Sequence, residues 1–528
     1  MSNTKQGPLP PFEPTSLDDI TAKVERLRRT YRTNKTKNIK FRQQQIRRLY
    51  WAVVDYAPLI EEALMKDMGK SRFEAHLTEM DWIKNEAVNV ANKLEAWSKD
   101  ESIVDLPVTY WPMRPRIRNE PLGQILLIGA YNFPFQLNLT PVIGAIAAGN
   151  CVVLKPSELA PHSAAVIARI FDEYLDPDCY ACVNGDVEQS RYLLDRHRFD
   201  KVMFTGGKKT GALIAAKAAQ SLTPVLLELG GLNPAFVTCG GDVRLAARRL
   251  LWQKCLNAGQ LCLSHNYVLV ERGAVDDFVA ELNVQYRTFM PDGAKGSDLS
   301  CIVNRSHYDR LMSMLRRTGG RVVMGGSSDD ETLWIEPTVV LVDSVDDSMM
   351  VEESFGPIWS VMPFDTLDEA IEIANKVDPT PLSLFTFGTD AENNKVLDNV
   401  TSGGATVNDA FFHGMINAIP FGGVGGSGQG NYHGYYSFKA FSHQRVIAQV
   451  PAWAEKLLRV RYMPYSFSEL DRYRALNGYT PNFDRDGNPI TGVKSWFGFL
   501  HRGGNASSGG AEPRWAILSL PLLGCLCG

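Results

Sequence analysis

The sequence predicts an α/β protein with parallel sheets. Short apolar runs such as "QILLIG" (124–129) and "CVVLKP" (151–156) alternate with helical stretches such as "HSAAVIARIFDEYL" (162–175). Runs without polar alternation are typical of strands buried on both faces, and helices between them are what parallel strands need as connections. The chain has 528 residues, which exceeds what one hydrophobic core organises, so we expect two or three domains.

The elements follow one another in three stages. Residues 16–69 are predicted to be helical, because Phe41, Ile46, Leu49 and Val53 lie near helical spacing and Gly69 ends the pattern. A first series of strands would form one α/β domain, and it comprises "QILLIG", "CVVLKP", "KVMFTGG", "VLLELGG", "PAFVT" and "YVLVE". A second series would form another, and it comprises "WIEPTVVLV", "GPIWSVMPF" and "GATVND".

Composition limits the function classes. The net charge of -4 gives no electrostatic attraction to nucleic acid, so we predict no nucleic-acid partner. The nine cysteines are an odd number without a repeated spacing, which favours a reducing compartment over a disulfide framework. The N-terminus "MSNTKQGPLPPFEPTS" has no apolar signal region, so an intracellular location is expected.

The C-terminal end is apolar. Its last 14 residues, "WAILSLPLLGCLCG", are shorter than the roughly 20 that span a bilayer, and Pro521 interrupts them. Upstream, "VKSWFGFLHR" (493–502) mixes aromatic and basic residues as membrane-interface segments do. We therefore expect association with a membrane surface, with a buried or disordered tail as the alternative. Cys525 and Cys527 are candidates for lipidation.

Three residues carry the predicted chemistry. Cys262 follows a small, flexible stretch in "NAGQLCLSHN", where a thiol can act as a nucleophile, although most cysteines are inert core residues. Glu228 ends an apolar strand, and a carboxyl group buried there would have a raised pKa and act as a general base, unless it points to water. Asn132 follows another buried strand and could donate to an oxyanion, or simply form a turn.

A second group of residues predicts a nucleotide site. Lys155 and Glu158 follow a strand, where they can contact ribose hydroxyls or phosphate. Gly206 and Gly211 lie at a strand-to-helix turn whose backbone N–H groups suit a pyrophosphate, and the Lys-Ser/Thr ending of an ATP-binding loop is missing. The match to G-x-G-x-x-G in "GGVGGSGQG" follows no clear strand and carries little weight. "CYAC" has no second pair at metal spacing, so no metal site is predicted.

Taken together, these stretches resemble the aldehyde dehydrogenase superfamily over roughly residues 20–460. The motifs "YNFP", "LKPSE", "FTGG", "LELGG", "NAGQLC", "EESFGP" and "PFGGVGGSG" occur in the order of that family. The ending "YHGYYSFKAFSHQR" is similar to its class 3 branch, which includes fatty aldehyde dehydrogenases and a fungal group acting on apocarotenoid aldehydes.

The resemblance implies an organisation of the chain. It consists of a Rossmann-like NAD(P)-binding domain (1–101 and 122–229), an α/β catalytic domain (230–414), a small bridging or oligomerisation arm (102–121 and 415–455) and a C-terminal extension (456–528) with a membrane-associating end. In the family such arms add strands to a partner subunit, so a homodimer is expected.

The resemblance also implies roles. Cys262 would attack the aldehyde to give a thiohemiacetal and then a thioester, with the oxyanion held by Asn132, and Glu228 would activate water for release of the acid. Cofactor contacts would come from Lys155 and Glu158 at the adenosine ribose, Gly206 and Gly211 at the pyrophosphate, and Glu353 and Phe355 at the nicotinamide. The cofactor would be NAD, with NADP as the alternative, and the substrate a long apolar aldehyde, fatty or apocarotenoid.

The sequence departs from the pattern of the family at two positions, and two alternative functions stay open. Gly207 stands where the family often has Ser, and Leu232 where it often has Lys. The thioester could be released to coenzyme A instead of water, which Glu228 argues against. The fold could also serve a non-catalytic structural or binding protein, which the presence of all three catalytic candidates argues against.

Overall fold

The computed structural model describes residues 4–103, 106–456, 458–478 and 481–490. They divide into two compact units: the described residues within Met1–Lys99 and Arg118–Arg445, and those within Asp100–Ile117 and Val446–Gly528. None of the helices in these ranges combines the length and apolar character that a bilayer span requires. The apolar C-terminal end, with its predicted membrane contact and lipidation, lies outside the described residues.

Helices account for most of the N-terminal region and cover the sheets that follow. In chain order they are α1 (Leu17–Arg32), α2 (Ile39–Asp55), α3 (Ala57–Met68), α4 (Arg72–Ala75), α5 (Asp81–Trp97), α6 (Gln136–Ala148), α7 (Pro161–Tyr174), α8 (Val187–Arg196), α9 (Lys208–Ala219), α10 (Val243–Cys255), α11 (Val275–Phe289), α12 (Arg305–Arg317), α13 (Ser348–Val351), α14 (Leu367–Val377), α15 (Asp390–Asn399), α16 (Gly434–Ala440) and α17 (Phe467–Asn477). A π-helical segment, His76–Met80, joins α4 to α5.

The strands are β1 (Glu101–Ser102), β2 (Arg116–Pro121), β3 (Gln124–Ile128), β4 (Cys151–Lys155), β5 (Tyr180–Cys182), β6 (Lys201–Gly206), β7 (Val225–Leu229), β8 (Pro234–Val237), β9 (Tyr267–Glu271), β10 (Arg321–Met324), β11 (Ser328–Asp329), β12 (Trp334–Ile335), β13 (Thr338–Leu341), β14 (Ile358–Phe364), β15 (Ser383–Phe387), β16 (Gly404–Val407), β17 (Gly428–Gln429) and β18 (Ser442–Ile447). Each run of the two predicted strand series contains at least one of these strands, and the predicted α/β class with parallel sheets is confirmed.

The first sheet has the order β17-β7-β6-β3-β4-β5. Its five strands from β7 to β5 are parallel, with Leu126 of β3 opposite Val153 of β4 and Val202 of β6. The chain runs outward from β3 to β5 and then returns to the other side of β3 at β6. Such a reversal opens a crevice at the carboxyl ends of the two central strands, where ligands bind in open α/β sheets.

The second sheet has the order β10-β13-β14-β9-β8-β15-β16. Six of its strands are parallel, and β10 joins the edge antiparallel to β13. Strands β11 and β12 form a separate antiparallel pair. A third small sheet has the order β1-β2-β18.

The N-terminal helices pack on the first sheet. Buried side chains recur along α2 at helical spacing, including Ile46, Leu49 and Val53, as the sequence predicts. The predicted helical stretch is interrupted twice, at residues 33–38 between α1 and α2 and at Tyr56 between α2 and α3, and it ends at Gly69, which has φ 64°. A left-handed residue after the last turn favours glycine because a Cβ is strained there.

The second compact unit is held by hydrogen bonds of its own. In β1 and β2, Ser102 lies opposite Arg116, and the Arg116 guanidinium contacts Asp100 at 2.8 Å. The hydroxyls of Tyr110 and Tyr473 are 2.7 Å apart, which ties α17 to the turn before β2.

Candidate active site

The carboxyl ends of the first sheet open onto a cavity of about 1020 Å³. Eight of the predicted site residues line it: Asn132, Lys155, Glu158, Gly206, Glu228, Cys262, Glu353 and Phe355. The ninth, Gly211, is not among the lining residues. A Cβ at Gly211 would lie 2.6 Å from the Leu229 side chain, so this glycine allows α9 to pack closely on β7.

Cys262 is presented by an unusual turn at the end of α10. Asn257, Ala258 and Gly259 have φ values of 51°, 50° and 68°, three left-handed residues in succession. A Cβ at Gly259 would lie 2.2 Å from the Gly356 carbonyl oxygen, so only glycine fits. The Cys262 carbonyl accepts a hydrogen bond from the Asn233 amide at 2.7 Å. The backbone around the thiol is therefore set in a strained conformation and tied to its surroundings.

Asn132 is connected to the same turn. Its side-chain amide donates to the Gln260 carbonyl at 3.0 Å, and its own carbonyl accepts from the Asn257 amide at 2.9 Å. An amide has two N–H donors, so one of those of Asn132 remains for a ligand in the cavity. Asn132 is 2% exposed, and this geometry suits a donor aimed at a developing negative charge.

Burial controls the protonation of the acidic groups in the cavity. It raises the pKa of the Cys262 thiol to about 12, with further increases from the charges of Glu228 and Glu353. It raises the pKa of Glu228 well above the ordinary range of a carboxyl and that of Glu353 to about 7. Neither carboxyl oxygen of Glu228 has a hydrogen-bond partner in the described part of the chain. Glu228 is therefore a carboxyl group with a raised affinity for protons, as a general base requires.

Cys262 also lines a second, much smaller pocket, of about 30 Å³. The lining of that pocket is mostly apolar and rich in rings, with Trp82, Phe133, Phe411, Phe421, Tyr432 and His433. The thiol thus lies where a large cavity meets a narrow aromatic pocket. A nucleophile in this position can face a cofactor on one side and an apolar substrate on the other.

Two side chains, with three hydrogen bonds, hold the loop that carries Glu353 and Phe355. The Arg310 guanidinium donates to the carbonyls of Glu353 and Ser354 at 2.8 and 2.7 Å, and the Asn266 side-chain oxygen accepts from the Ser354 N–H at 2.7 Å. Phe355 has φ 44°, a strained value for a residue with a side chain. The loop is therefore fixed by side-chain hydrogen bonds to the two residues that precede this strained residue.

Two charged residues of the segment between α3 and α5, which the sequence did not indicate, support the loop that carries Asn132. Lys70 and Glu79 form an ion pair at 2.7 Å, and both side chains are fully buried. Glu79 accepts from the backbone N–H groups of Phe135 and Gln136, and Lys70 donates to the Asn132 carbonyl at 3.3 Å. The pair therefore connects the π-helical segment to the Asn132 loop. In sequence, both residues look like ordinary charges on a helix surface.

Replacing Lys70 by methionine should lower the free energy of unfolding by about 3–5 kcal/mol, because the Glu79 carboxylate is then left buried without its cation. The matched control is Lys66→Met, which removes a half-exposed partner of Glu62 on the neighbouring turn and should cost about 1 kcal/mol or less. Urea unfolding measures both. Equal losses in the two variants would contradict a special role for the buried pair.

Two features of the cavity fit a dinucleotide. The Lys155 ammonium and the Glu158 carboxylate contact each other at 2.6 Å at the end of β4, where together they offer donors and acceptors to ribose hydroxyls. Gly207 is the N-cap of α9, and a Cβ there would meet no atom within 4 Å. The open N-terminus of a 12-residue helix attracts phosphate groups. Within the described ranges no group of three or more His, Cys, Asp or Glu side chains could hold a metal ion.

Comparison with known proteins identifies the family to which this chain is similar. The profile of the aldehyde dehydrogenase family matches residues 8–447. A Gibberella fujikuroi protein named beta-apo-4'-carotenal oxygenase is 56% identical over 98% of this chain and 96% of its own, and a Neurospora crassa protein of the same name is 50% identical over 96% of both chains. The substrate-bound structure of Staphylococcus aureus AldH superimposes with a TM-score of 0.80 at 37% identity, covering 82% of this chain and 94% of that one.

Proposed function

The chain belongs to the aldehyde dehydrogenase family, and we propose that it oxidises a long apolar aldehyde, of apocarotenoid or fatty class, to the carboxylic acid with NAD or NADP as hydride acceptor. One observation carries the proposal: Cys262 lies between the large cavity, which also contains Glu228, and the narrow aromatic pocket. The names of the Gibberella and Neurospora relatives favour an apocarotenoid aldehyde.

The first step forms a bond between the Cys262 sulfur and the aldehyde carbon. The thiol must lose its proton to attack, and Glu228 is a carboxylate of the same cavity whose burial raises its affinity for protons. The aldehyde oxygen becomes an oxyanion. The remaining N–H of the Asn132 amide and the backbone N–H of Cys262 stabilise this charge, which develops only as the bond forms.

A nicotinamide dinucleotide bound in the large cavity would supply the acceptor for the hydride of the thiohemiacetal carbon. Lys155 and Glu158 would hold its adenosine ribose, the backbone at Gly206 and Gly207 its pyrophosphate, and Glu353 and Phe355 its nicotinamide ribose and ring. Loss of the hydride leaves a thioester on the Cys262 sulfur.

The second half of the reaction releases the acid. Glu228 first releases the proton of the Cys262 thiol to solvent. It then takes a proton from a water molecule, whose oxygen attacks the thioester carbon, and the Cys262 sulfur leaves as a thiolate, which Glu228 can reprotonate. Both Glu228 oxygens are buried and without partners among the described residues, so they are free to bind that water. This arrangement favours water over coenzyme A as the acceptor of the acyl group. Formation of free acid in the absence of coenzyme A tests the choice.

The aromatic pocket favours a flat, conjugated chain. The rings of Phe421 and His433 are stacked at 5.0 Å, and those of Trp82 and Phe411 meet edge to face at 6.4 Å. Ring faces pack well on a planar π-system. The pocket is narrow, so a bound polyene would widen it by displacing side chains such as Phe411.

We therefore expect an apocarotenoid aldehyde to be oxidised with a kcat/KM about tenfold or more above that of a saturated aldehyde of equal length, a difference that one or two ring contacts supply. Acid product is measured by chromatography, with a short soluble aldehyde as the third substrate. Faster turnover of the short aldehyde than of both long ones would overturn the proposed substrate class. A protein that forms no acid from any aldehyde would favour the non-catalytic alternative.

Membrane association and a homodimer complete the proposal. An apolar C-terminal end would bring the enzyme to lipid, in which such substrates dissolve. Liposome flotation of the full chain and of a chain ending at residue 490, together with their masses in solution, tests both points.

A further inference from the structure

One end of the large cavity is a slot between two helices. The slot is lined by one face of α8, with Val187, Ser190, Arg191, Leu194 and Asp195, and one face of α9, with Thr210, Leu213, Ile214 and Lys217. Val187 and Leu213 are 54% and 65% exposed, unusual values for aliphatic side chains. Two open aliphatic walls suit the faces of a flat heterocycle, so this end of the cavity fits the adenosine half of a dinucleotide.

Of the four lysine and arginine side chains that line the cavity among the described residues, three are bound to other groups of the protein. Lys155 pairs with Glu158 at 2.6 Å, and Lys217 pairs with Asp195 at 2.8 Å. Arg310 donates to two backbone carbonyls of the Glu353 loop. Arg191 makes no hydrogen bond or ion pair within the part of the chain that the structure describes, and its charge acts only weakly on Asp195, one turn further along α8.

We propose that Arg191 binds the 2′-phosphate of NADP and thereby sets the affinity of the enzyme for NADP relative to NAD. This inference rests on the proposed dinucleotide-dependent function. A guanidinium group presents two parallel N–H donors that match phosphate oxygens, and an uncompensated one in a ligand cavity gains most from an anion. Arg191 lines the cavity together with the Lys155–Glu158 pair, which would hold the ribose that carries this phosphate.

Glu158 does not prevent binding of the phosphate. A carboxylate next to the ribose 2′ position favours a hydroxyl and repels a phosphate. The Glu158 side chain is 34% exposed, whereas that of Lys155 is 2% exposed. Glu158 can therefore turn into solvent when NADP binds, which leaves Lys155 in place as a second cation beside Arg191.

Calorimetric titration of the wild-type enzyme, Arg191→Ala, Arg191→Lys and Arg196→Ala with NADP and NAD tests the inference without any turnover. Arg196 is the matched control, because it is an exposed arginine of the same helix that does not line the cavity. The ratio of NADP to NAD affinity should fall about tenfold or more in Arg191→Ala, as expected for loss of a hydrogen-bonded charge pair. It should fall less in Arg191→Lys and stay unchanged in Arg196→Ala. Titration with 2′-AMP and 5′-AMP should show the same dependence.

The outcomes separate the inference from the proposed function. If wild-type enzyme binds NAD and the ratio is the same in all three variants, the Arg191 subsite is wrong and the function stands. If the ratio falls equally in Arg191→Ala and Arg196→Ala, the effect is one of helix charge and the subsite is again wrong. A folded wild-type protein that binds neither dinucleotide would overturn both. Thermal unfolding of each variant confirms that it is folded.

Discussion

Replacing Cys262 by alanine should lower kcat for aldehyde oxidation by about 10⁴-fold or more, the loss that follows removal of a covalent nucleophile. Cys262 is the thiol that lines both the large cavity and the aromatic pocket. Without its sulfur no covalent intermediate forms, and the bound aldehyde has no route to hydride loss. Steady-state formation of NADH or NADPH with a saturating long aldehyde measures kcat.

The control for this prediction is Cys301→Ala. Cys301 is another half-buried thiol, and its backbone carbonyl accepts from the Gln260 side chain at 2.9 Å, a contact that alanine retains. This variant should keep kcat within about twofold, as substitutions remote from the reacting atoms do. Mass spectrometry of the wild-type enzyme quenched during turnover should find an acyl adduct on the peptide of Cys262. Turnover of the Cys262 variant close to that of the wild type would disprove the covalent mechanism.

The position of the site follows from features that a sequence displays. Asn132, Lys155 and Glu228 each stand at the end of an apolar run, and parallel strands bring their carboxyl ends to one edge of a sheet. Such apolar runs can be recognised in the local sequence. The order of the motifs then indicated which reaction the residues carry out. The two glycines of the "FTGG" turn were likewise readable, because a helix starts directly after them.

The pairing of the strands could not be predicted in the same way. "PAFVT" and "YVLVE" look like continuations of the first series, but β8 and β9 lie in the second sheet, between β14 and β15. An apolar run predicts that a strand is buried, but it does not predict which strand lies beside it. The role of the G-x-G-x-x-G match in "GGVGGSGQG" also depends on strand pairing. Gly428 lies opposite Glu228 in an antiparallel pair, where a Cβ would lie 2.2 Å from the Leu227 carbonyl oxygen. The glycine serves close backbone packing beside a site residue.

The buried supports of the site were missed for a physical reason. Lys70, Glu74 and Glu79 occupy a helical region in which charged residues usually face water. Glu74 accepts from the Asn257 N–H at 3.1 Å, and burial raises its pKa to about 7. Only the fold shows that these charges lie beneath the loops of Asn132 and Cys262. Lys70 lies in the loop between α3 and α4 and Glu79 in the π-helical segment, so no helical spacing in the sequence indicates the pair.

Replacing Glu228 by glutamine should lower steady-state turnover by about 10³-fold, within the usual contribution of a general base. Glutamine has nearly the same shape but cannot accept a proton from water or from the Cys262 thiol. The burial that raises the Glu228 pKa also determines the pH dependence of the wild-type enzyme. Protonated Glu228 is inactive as a base, so kcat should rise with pH as the carboxyl ionises, at a pH above the ordinary carboxyl range. In Glu228→Gln this rise of kcat with pH, the rising limb of the pH profile, should disappear.

Glu353→Gln is the informative comparison, because Glu353 is a second buried carboxyl group of the cavity, with its pKa raised to about 7. If Glu228 is the base, the pH limb survives in Glu353→Gln although cofactor affinity falls, since the two carboxyls then act in different steps. Quenched-flow mass spectrometry separates the halves of the reaction further. An acyl adduct that accumulates on Cys262 in Glu228→Gln places the loss in hydrolysis, whereas an enzyme without adduct places it in the initial attack. Retention of both the limb and the rate in Glu228→Gln would assign the base to another group, and Glu353, the other carboxyl of the cavity with a raised pKa, would then be the first to test.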